Sequence, residues 1–210
     1  MTRGSIRTEP PYCPGMGKAT DNGGSREDRP ARTRAWIVAA FNRIVFHRGY
    51  QAMSVGEVCR LAGVGRSTFY EHFRDKDQVL HHALRPILTP LANAASGDGD
   101  TRSVEAALAH IADQHKQARA MLNGPGRSQV EQALADLILI RLVDRKPVTE
   151  EKMRRLESAR RAGAQIALIR SWLMEEDART ARIEVVQMLM EGEKQKRSWA
   201  EAGVSPSQHR

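Results

Sequence analysis

A short segment from Arg66 to Phe73 combines hydrogen-bond donors with two aromatic rings. On a helix, Phe69 and Phe73 lie one turn apart on the same face and can anchor that face in a core. The helix start and the opposite face carry donors, which are Arg66, Ser67, Thr68, Tyr70 and His72. Such groups bind phosphate oxygens and base edges, so the chemistry on offer is nucleic-acid recognition. Glu71 shares the outer face, where it either accepts from a cytosine amino group or repels phosphate; the sequence leaves both open.

Two earlier helices are predicted to position this segment. The first runs from Ala31 to Arg48, with apolar residues at helical spacing and Gly49 in the place of a left-handed C-terminal cap. The second begins at Ser54, because Ser54 and Glu57 have the spacing of a capping box. Gly63-Val64-Gly65 then separates it from the third helix. Two short helices joined by such a turn and packed on a longer one form a helix-turn-helix, whose second helix fits the major groove of DNA.

The remainder of the chain is also predicted to be helical. Asp75 and Gln78 repeat the capping-box spacing before a fourth helix, and four more periodic segments follow, at Ser103 to Leu122, Gln129 to Val143, Glu150 to Met174 and Ala178 to Met190. No segment alternates as a strand would. The expected fold is therefore all-α, with a disordered basic tail over residues 1–30, a helix-turn-helix domain over 31–78 and a second helical domain over 79–210.

The composition excludes several classes of protein. Lys and Arg number 33 against 25 Asp and Glu, and this net charge of +8 favours phosphate-bearing partners without defining a fold. No apolar run approaches the roughly 20 residues that cross a bilayer, and the N-terminus has no apolar signal segment, so we expect a cytoplasmic protein without a membrane partner. Cys13 and Cys59 cannot build a disulfide framework or a zinc site. No catalytic motif and no His pair with ligand spacing is found, so we expect no enzyme, cofactor or bound metal.

The segment from Ser54 to Phe73, followed by Asp75 and Lys76, resembles the DNA-binding signature of TetR/AcrR-type transcriptional regulators. The features that carry the resemblance are the Ala-Gly-Val turn, the Thr-Phe-Tyr sequence of the third helix, the His-Phe pair and the Lys that opens helix four. The resemblance implies that Arg66 and Ser67 read bases, and that phosphates are contacted by Thr68, Tyr70, His72 and Lys76. Two residues depart from the pattern. The family usually has Ser or a similar N-cap where this chain has Gly65, and a small Ala where this chain has Cys59.

A weaker resemblance over Arg161 to Gly192 implies that the last helices form a homodimer. It also implies a small-molecule effector that moves helix four, and release of a double-stranded operator whose half-sites lie about 34 Å apart. By helical spacing, one face of the eighth helix carries Leu156, Ala159, Gly163, Ile166, Ala167 and Arg170. This face either meets a second subunit or packs within the monomer.

The predicted effector pocket combines apolar side chains with a few polar groups that would orient a ligand. Its predicted members are Leu84, Leu88, His110, Ile111, Gln114 and Leu137. The resulting hypothesis is a ligand-responsive repressor that binds a pseudo-palindromic operator as a dimer. The alternative is a helix-turn-helix that docks another protein; the donors on the third helix argue against it, because a protein-docking helix would expose more apolar surface.

Overall fold

The computed structural model describes residues 28–145, 150–175 and 182–190. All regular secondary structure in these ranges is α-helical, which confirms the predicted class. The helices are α1 (Asp28–Arg48), α2 (Val55–Ala62), α3 (Arg66–His72), α4 (Lys76–Ser96), α5 (Thr101–Asp113), α6 (His115–Asn123), α7 (Arg127–Arg145) and α8 (Glu151–Trp172), and residues 182–190 are helical as well. No helix in the described part of the chain is long and apolar enough to cross a membrane.

Several predicted boundaries shift by a few residues. The first helix starts at Asp28, inside the predicted tail, while residues 1–27 of that tail lie outside the described residues. The third helix ends at His72, because Phe73 takes an extended backbone conformation with φ −141° and caps the helix. Of the predicted helix from Ala178 to Met190, residues 182–190 are described and helical.

The single helix predicted from Ser103 to Leu122 is wrong. Gln114 leaves helical geometry, with φ −101° and ψ 31°, and divides this segment into α5 and α6. The bend involves the next residue, since Nε2 of His115 lies 2.9 Å from the carbonyl oxygen of Leu173, just beyond α8. No Gly or Pro lies at the break, so local sequence preference contains no signal for it. The tertiary contact with Leu173 is the physical reason that we assign to the bend.

Two hydrophobic cores are built around a single helix, α4. The smaller core fills the space between α1, α2, α3 and the first turn of α4, and its buried side chains include Ile37, Phe41, Val58, Phe69 and Leu80. The larger core lies between α4, α5, α7, α8 and residues 182–190, and includes Leu91, Leu108, Leu134, Ile138 and Ile166. Leu84 of α4 and Met121 of α6 pack against both cores. Helix α4 therefore connects the helix-turn-helix to the rest of the molecule.

The face predicted for the eighth helix needs one correction. Ile166 is buried in the larger core together with Ala162 and Ile169, which follow one another at helical spacing. Leu156, in contrast, is 57% exposed. Ile166 lies at the edge of the predicted face. The apolar face of a helix that packs on a core is wide enough to include a residue at that edge. The outward face is therefore narrower than predicted.

Candidate nucleic-acid interface

Backbone geometry at both ends of α2 sets the position of α3. At the start of α2, the backbone N–H of Glu57 donates to the Ser54 hydroxyl, and the backbone N–H of Ser54 donates to the Glu57 carboxylate. This reciprocal pair confirms the predicted capping box, and the hydrogen bonds from Ser54 lower the pKa of the Glu57 carboxyl group. At the other end, Gly63 has φ +67°, a left-handed conformation that strongly favours glycine. Helix α3 then starts at Arg66, and Gly65, its N-cap residue, provides no side-chain cap, as predicted.

Two buried rings hold α3 in place. Phe69 has no exposed surface and Phe73 is also buried, with 6.1 Å between their ring centroids. Tyr70 follows Phe69 directly but points away from the core, so that 56% of its surface is exposed. The anchored side and the outward side of α3 are those that the sequence predicted. The helix is therefore rigid on one face and accessible on the other.

The outward side of α3 carries most of the predicted DNA-binding residues. Arg66, Ser67 and Tyr70 are exposed, while Thr68 and His72 are half-buried. The guanidinium group of Arg66 lies across α2, with Nη2 3.0 Å from where a Cβ atom on Gly56 would stand. Only a glycine at position 56 leaves room for this arrangement without a shift of Arg66. The structure thus brings these five residues together on one short helix.

Lys76 is placed differently from the other predicted residues. Its Nζ donates hydrogen bonds to the backbone carbonyl oxygens of Tyr50 and Met53, both at 3.3 Å. The same ammonium group lies 4.5 Å from the centroid of the Tyr50 ring, within the range of a cation–π interaction. An ammonium has three donors, so at most one remains for a phosphate. In this geometry the main contacts of Lys76 hold the α1–α2 loop against the start of α4.

Comparison with known proteins agrees with this geometry. Residues 37–83 match the family model described as "Bacterial regulatory proteins, tetR family". This segment of the chain is similar to the tetR family of bacterial regulatory proteins, and we call it the tetR-type domain. The matched residues cover most of α1, all of α2 and α3, and the beginning of α4.

Similar solved structures include two proteins of this family. A TetR transcriptional regulator from Streptococcus agalactiae 2603V is 20% identical over 76% of this chain and 96% of its own, with a TM-score of 0.46. The TetR family repressor AlkX from Dietzia sp. strain DQ12-45-1b is 14% identical over 77% of this chain and 95% of its own, with a TM-score of 0.45.

Two arginines of α1 extend the positive charge of the tetR-type domain beyond α3. The guanidinium carbon of Arg34 lies 5.9 Å from the centroid of Phe73, at the end of α3, and that of Arg32 lies 5.7 Å from the ring of Trp36. Burial lowers the pKa of the neighbouring His82, and the charges of Arg34 and Arg85 lower it further. The arginine-rich start of the first helix was visible in the sequence, but nothing in the sequence pairs Arg34 with Phe73.

Cys59 of the tetR-type domain behaves as a small apolar residue. It is buried in the smaller core, and burial raises the pKa of its thiol despite the nearby charge of Arg66. A raised pKa keeps the thiol protonated and unreactive. The departure from Ala at this position therefore adds core volume.

A cavity of about 780 Å³ lies between the smaller core, which lies in the tetR-type domain, and the larger core. Five of the six predicted pocket residues line it, namely Leu84, Leu88, His110, Ile111 and Gln114. Leu137 is not among the lining residues; it is partly buried against the larger core instead, so its place in the predicted pocket needs correction. On α7, helical spacing alone could not decide which neighbouring turn faces the cavity.

Sequence reasoning missed one whole wall of this cavity. The end of α1 and the α1–α2 loop contribute Phe41, Val45 and Tyr50 to the lining. The prediction had assigned this part of the chain to DNA binding alone. No periodic pattern signals the wall, because it forms only when the loop folds against the turn between α6 and α7, where Nε2 of Gln51 donates to the carbonyl oxygen of Pro125 at 3.4 Å.

Proposed function

We propose that the chain is a ligand-responsive repressor that binds a pseudo-palindromic operator as a homodimer and is released by a small molecule. The observation that carries the proposal is the division of α3 into an anchored and an accessible side, with Phe69 fully buried and the adjacent Tyr70 56% exposed. A helix held this rigidly can present fixed donors to the major groove.

The donors divide by position along α3. Arg66 and Ser67, at the start of the helix, are proposed to read base edges, since Arg pairs well with guanine. Thr68, Tyr70 and His72 are proposed to contact phosphates and set the orientation of the helix on the duplex. Lys76, which the resemblance assigned to phosphate, is better suited to holding the α1–α2 loop, because its ammonium group already bonds two carbonyl oxygens.

Exposed apolar side chains at the other end of the molecule support a dimer. Met153 and Leu156 of α8, together with Ile183 and Met188 of the last described helix, each leave more than half of their surface exposed. Gly163 lies about two helical turns after Leu156 on α8, where the absence of a side chain permits close approach. A second copy related by a two-fold axis would cover both helices and place two α3 helices on successive major-groove faces.

The alternative, a helix-turn-helix that docks a protein, is less well supported. A protein interface usually has an apolar centre that lacks charged residues, but the accessible side of α3 carries Arg66 and Glu71 beside the single ring of Tyr70. This side therefore lacks the apolar centre of a protein interface, and its donors Arg66, Ser67 and Tyr70 suit a polyanion better.

The test is a salt titration of binding to a DNA fragment from around the coding region. Each neutralised phosphate contributes a slope of about −0.9 to a plot of log K against log salt, so a dimer that neutralises one phosphate per subunit gives about −1.8 or steeper. We expect Arg66→Ala to change the sequence preference, and Arg102→Ala, at an exposed position of α5, to change neither slope nor preference. A slope near zero would refute DNA binding, and an unaltered preference in Arg66→Ala would refute the assigned reading role.

A further inference from the structure

The side chain of Tyr50 contains a buried hydroxyl group that has no hydrogen-bond partner among the described residues. Tyr50 lies in the α1–α2 loop and only 4% of its surface is exposed. The ring is well fixed, with the Phe41 ring at 6.4 Å edge-on and the ammonium group of Lys76 at 4.5 Å. Buried hydroxyl groups are nearly always paired, since an unmade hydrogen bond costs free energy. The oxygen itself has almost no accessible surface, so a bound molecule would make the missing hydrogen bond by drawing the Tyr50 side chain toward it.

Tyr50 forms part of the wall of the cavity between the two domains. The volume of about 780 Å³ is within the range of sites for small organic molecules. Leu84 and Met121, the two side chains that pack against both cores, also line this cavity. A molecule bound there would touch the tetR-type domain and the larger domain at once.

The side chains that line the cavity determine which class of molecule fits it. Most of it is apolar, and His110 and Gln114 add polar groups one helical turn apart by sequence. The charged lining residues are Arg48 and Lys116, both positive, and none of the lining residues is an Asp or Glu. Arg48 is paired with Glu57, whose carboxylate caps the start of α2, and Lys116 is exposed at the surface. Because the lining contains no acidic side chain and Lys116 adds a positive charge, an apolar body with an anionic, hydrogen-bond-accepting head group fits it better than a cation does.

We propose that the cavity binds an amphipathic carboxylate whose head group accepts a hydrogen bond from the Tyr50 hydroxyl, and that this carboxylate class supplies the effector. The claim that the carboxylate is the effector rests on the proposed function. The claim that it binds in the cavity rests on the cavity alone. The inference adds a residue of the DNA-binding domain, Tyr50, to the effector site.

Contacts around Tyr50 connect a ligand in the cavity to the position of α3. The Tyr50 backbone oxygen accepts a hydrogen bond from Lys76, the first residue of α4, only a few residues after α3 ends. On its other side the loop meets the turn after α6, where a Cβ atom on Gly126 would come 3.5 Å from the Cβ of Tyr50. A ligand that draws the Tyr50 hydroxyl toward its head group shifts the loop between these two contacts. Such a shift changes the angle at which α3 is held, which misaligns one half-site of a dimer.

The experiment compares dodecanoate, dodecan-1-ol and dodecylamine, which share one chain length and differ in the charge of the head group. Each is added to the full chain below its critical micelle concentration, and binding is measured by thermal shift and by titration calorimetry. A ligand that binds only the folded state raises the melting temperature. We expect dodecanoate to bind most tightly, dodecan-1-ol more weakly and dodecylamine least. Tightest binding by dodecylamine, or equal binding by all three, would overturn the assigned class.

Two variants test the assigned residues. Tyr50→Phe removes only the unpartnered hydroxyl and should weaken dodecanoate binding about tenfold or more, as expected for a lost hydrogen bond to a charged group. Tyr70→Phe is the matched control, since it removes a tyrosine hydroxyl outside the cavity and should leave dodecanoate binding as it is. Lys116→Glu should weaken dodecanoate by about two- to fivefold, the scale of an exposed charge, without affecting dodecan-1-ol. Unchanged dodecanoate binding in Tyr50→Phe would overturn the role of the hydroxyl.

Failure of this inference can be told apart from failure of the proposed function. Operator binding is first measured without a probe, and release by dodecanoate is then measured relative to it. A chain that binds its operator but neither binds nor responds to dodecanoate overturns the inference and leaves the DNA-binding function standing. A chain that binds dodecanoate through Tyr50 but never binds DNA overturns the proposed function and the regulatory part of the inference, and supports the binding part.

Discussion

Replacing Lys76 by Met tests whether this side chain holds a loop or contacts a phosphate. The substitution keeps most of the apolar stem and removes the ammonium group with its two hydrogen bonds to the Tyr50 and Met53 carbonyl oxygens. It also removes the positive charge over the Tyr50 ring. Both effects fall on the α1–α2 loop, which positions the helix-turn-helix relative to α4.

The cost can be worked from the geometry. Hydrogen bonds from a charged donor contribute about 1.5–3 kcal/mol each at ideal distances. At 3.3 Å these two are longer than the usual range, so about 1 kcal/mol each is appropriate. The cation–π contact at 4.5 Å adds about 0.5–1 kcal/mol. Relief of the desolvation of Lys76 offsets part of this sum, so we expect Lys76→Met to lower the free energy of unfolding by about 2 kcal/mol.

Urea denaturation measures that loss, and the salt dependence of operator binding measures the phosphate contact. A holding role predicts a destabilised protein with weaker binding but an unchanged salt slope. A phosphate role predicts the opposite, a slope reduced by about 0.9 per subunit with stability nearly unaltered. Lys116→Met, at an exposed position of α6, should alter neither quantity. Stability within about 0.5 kcal/mol of the parent, together with a shallower slope, would refute the reasoning.

Two further predictions concern a close approach and an acid-sensitive pair. Gly56→Ala should raise the free energy of unfolding by up to about 1 kcal/mol, because Ala favours a helix over Gly. It should also displace the Arg66 guanidinium, which lies 3.0 Å from the added Cβ. A binding titration should then show a changed operator preference, and an unchanged preference would contradict the position assigned to Arg66. Hydrogen bonds from Arg160 and then Arg161 lower the pKa of Glu157 from 4.5 to about 2. The ionised carboxylate therefore stabilises the fold above about pH 4.5, and this stabilisation is lost as the pH falls through about 2. Glu157→Gln should therefore cost about 1–2 kcal/mol in urea denaturation at pH 7 and much less near pH 2, whereas a cost that does not vary with pH would show that packing is responsible.

The local elements of the helix-turn-helix were predictable because their signals are local. The Ser54–Glu57 box, the left-handed Gly49 and the Phe69–Phe73 spacing each act within a few residues, and each appears as predicted. The same is true of Gly65, whose missing side-chain cap follows from its residue type alone. Short-range hydrogen bonds and helix periodicity are sufficient to define these features.

Features that depend on distant parts of the chain were not predictable. The break at Gln114 accompanies the contact of His115 with the Leu173 carbonyl group, 58 residues further along the chain. The inward placement of Lys76 depends on carbonyl oxygens of a loop that lies 23 and 26 residues earlier in the chain. A single sequence contains the residue types of both contacts but not their pairing. The same limit explains why Tyr50 was not recognised as a wall of the cavity.

The packing of Leu84 and Met121 against both hydrophobic cores has a consequence for protein engineering. Because both side chains pack against both cores, the tetR-type domain does not pack independently of the rest of the chain. A chimaera that joins this domain to another protein at the end of the matched segment, residue 83, would lack both side chains. Transplanting the domain therefore requires transferring Leu84, Met121 and a matching turn after α6 with it.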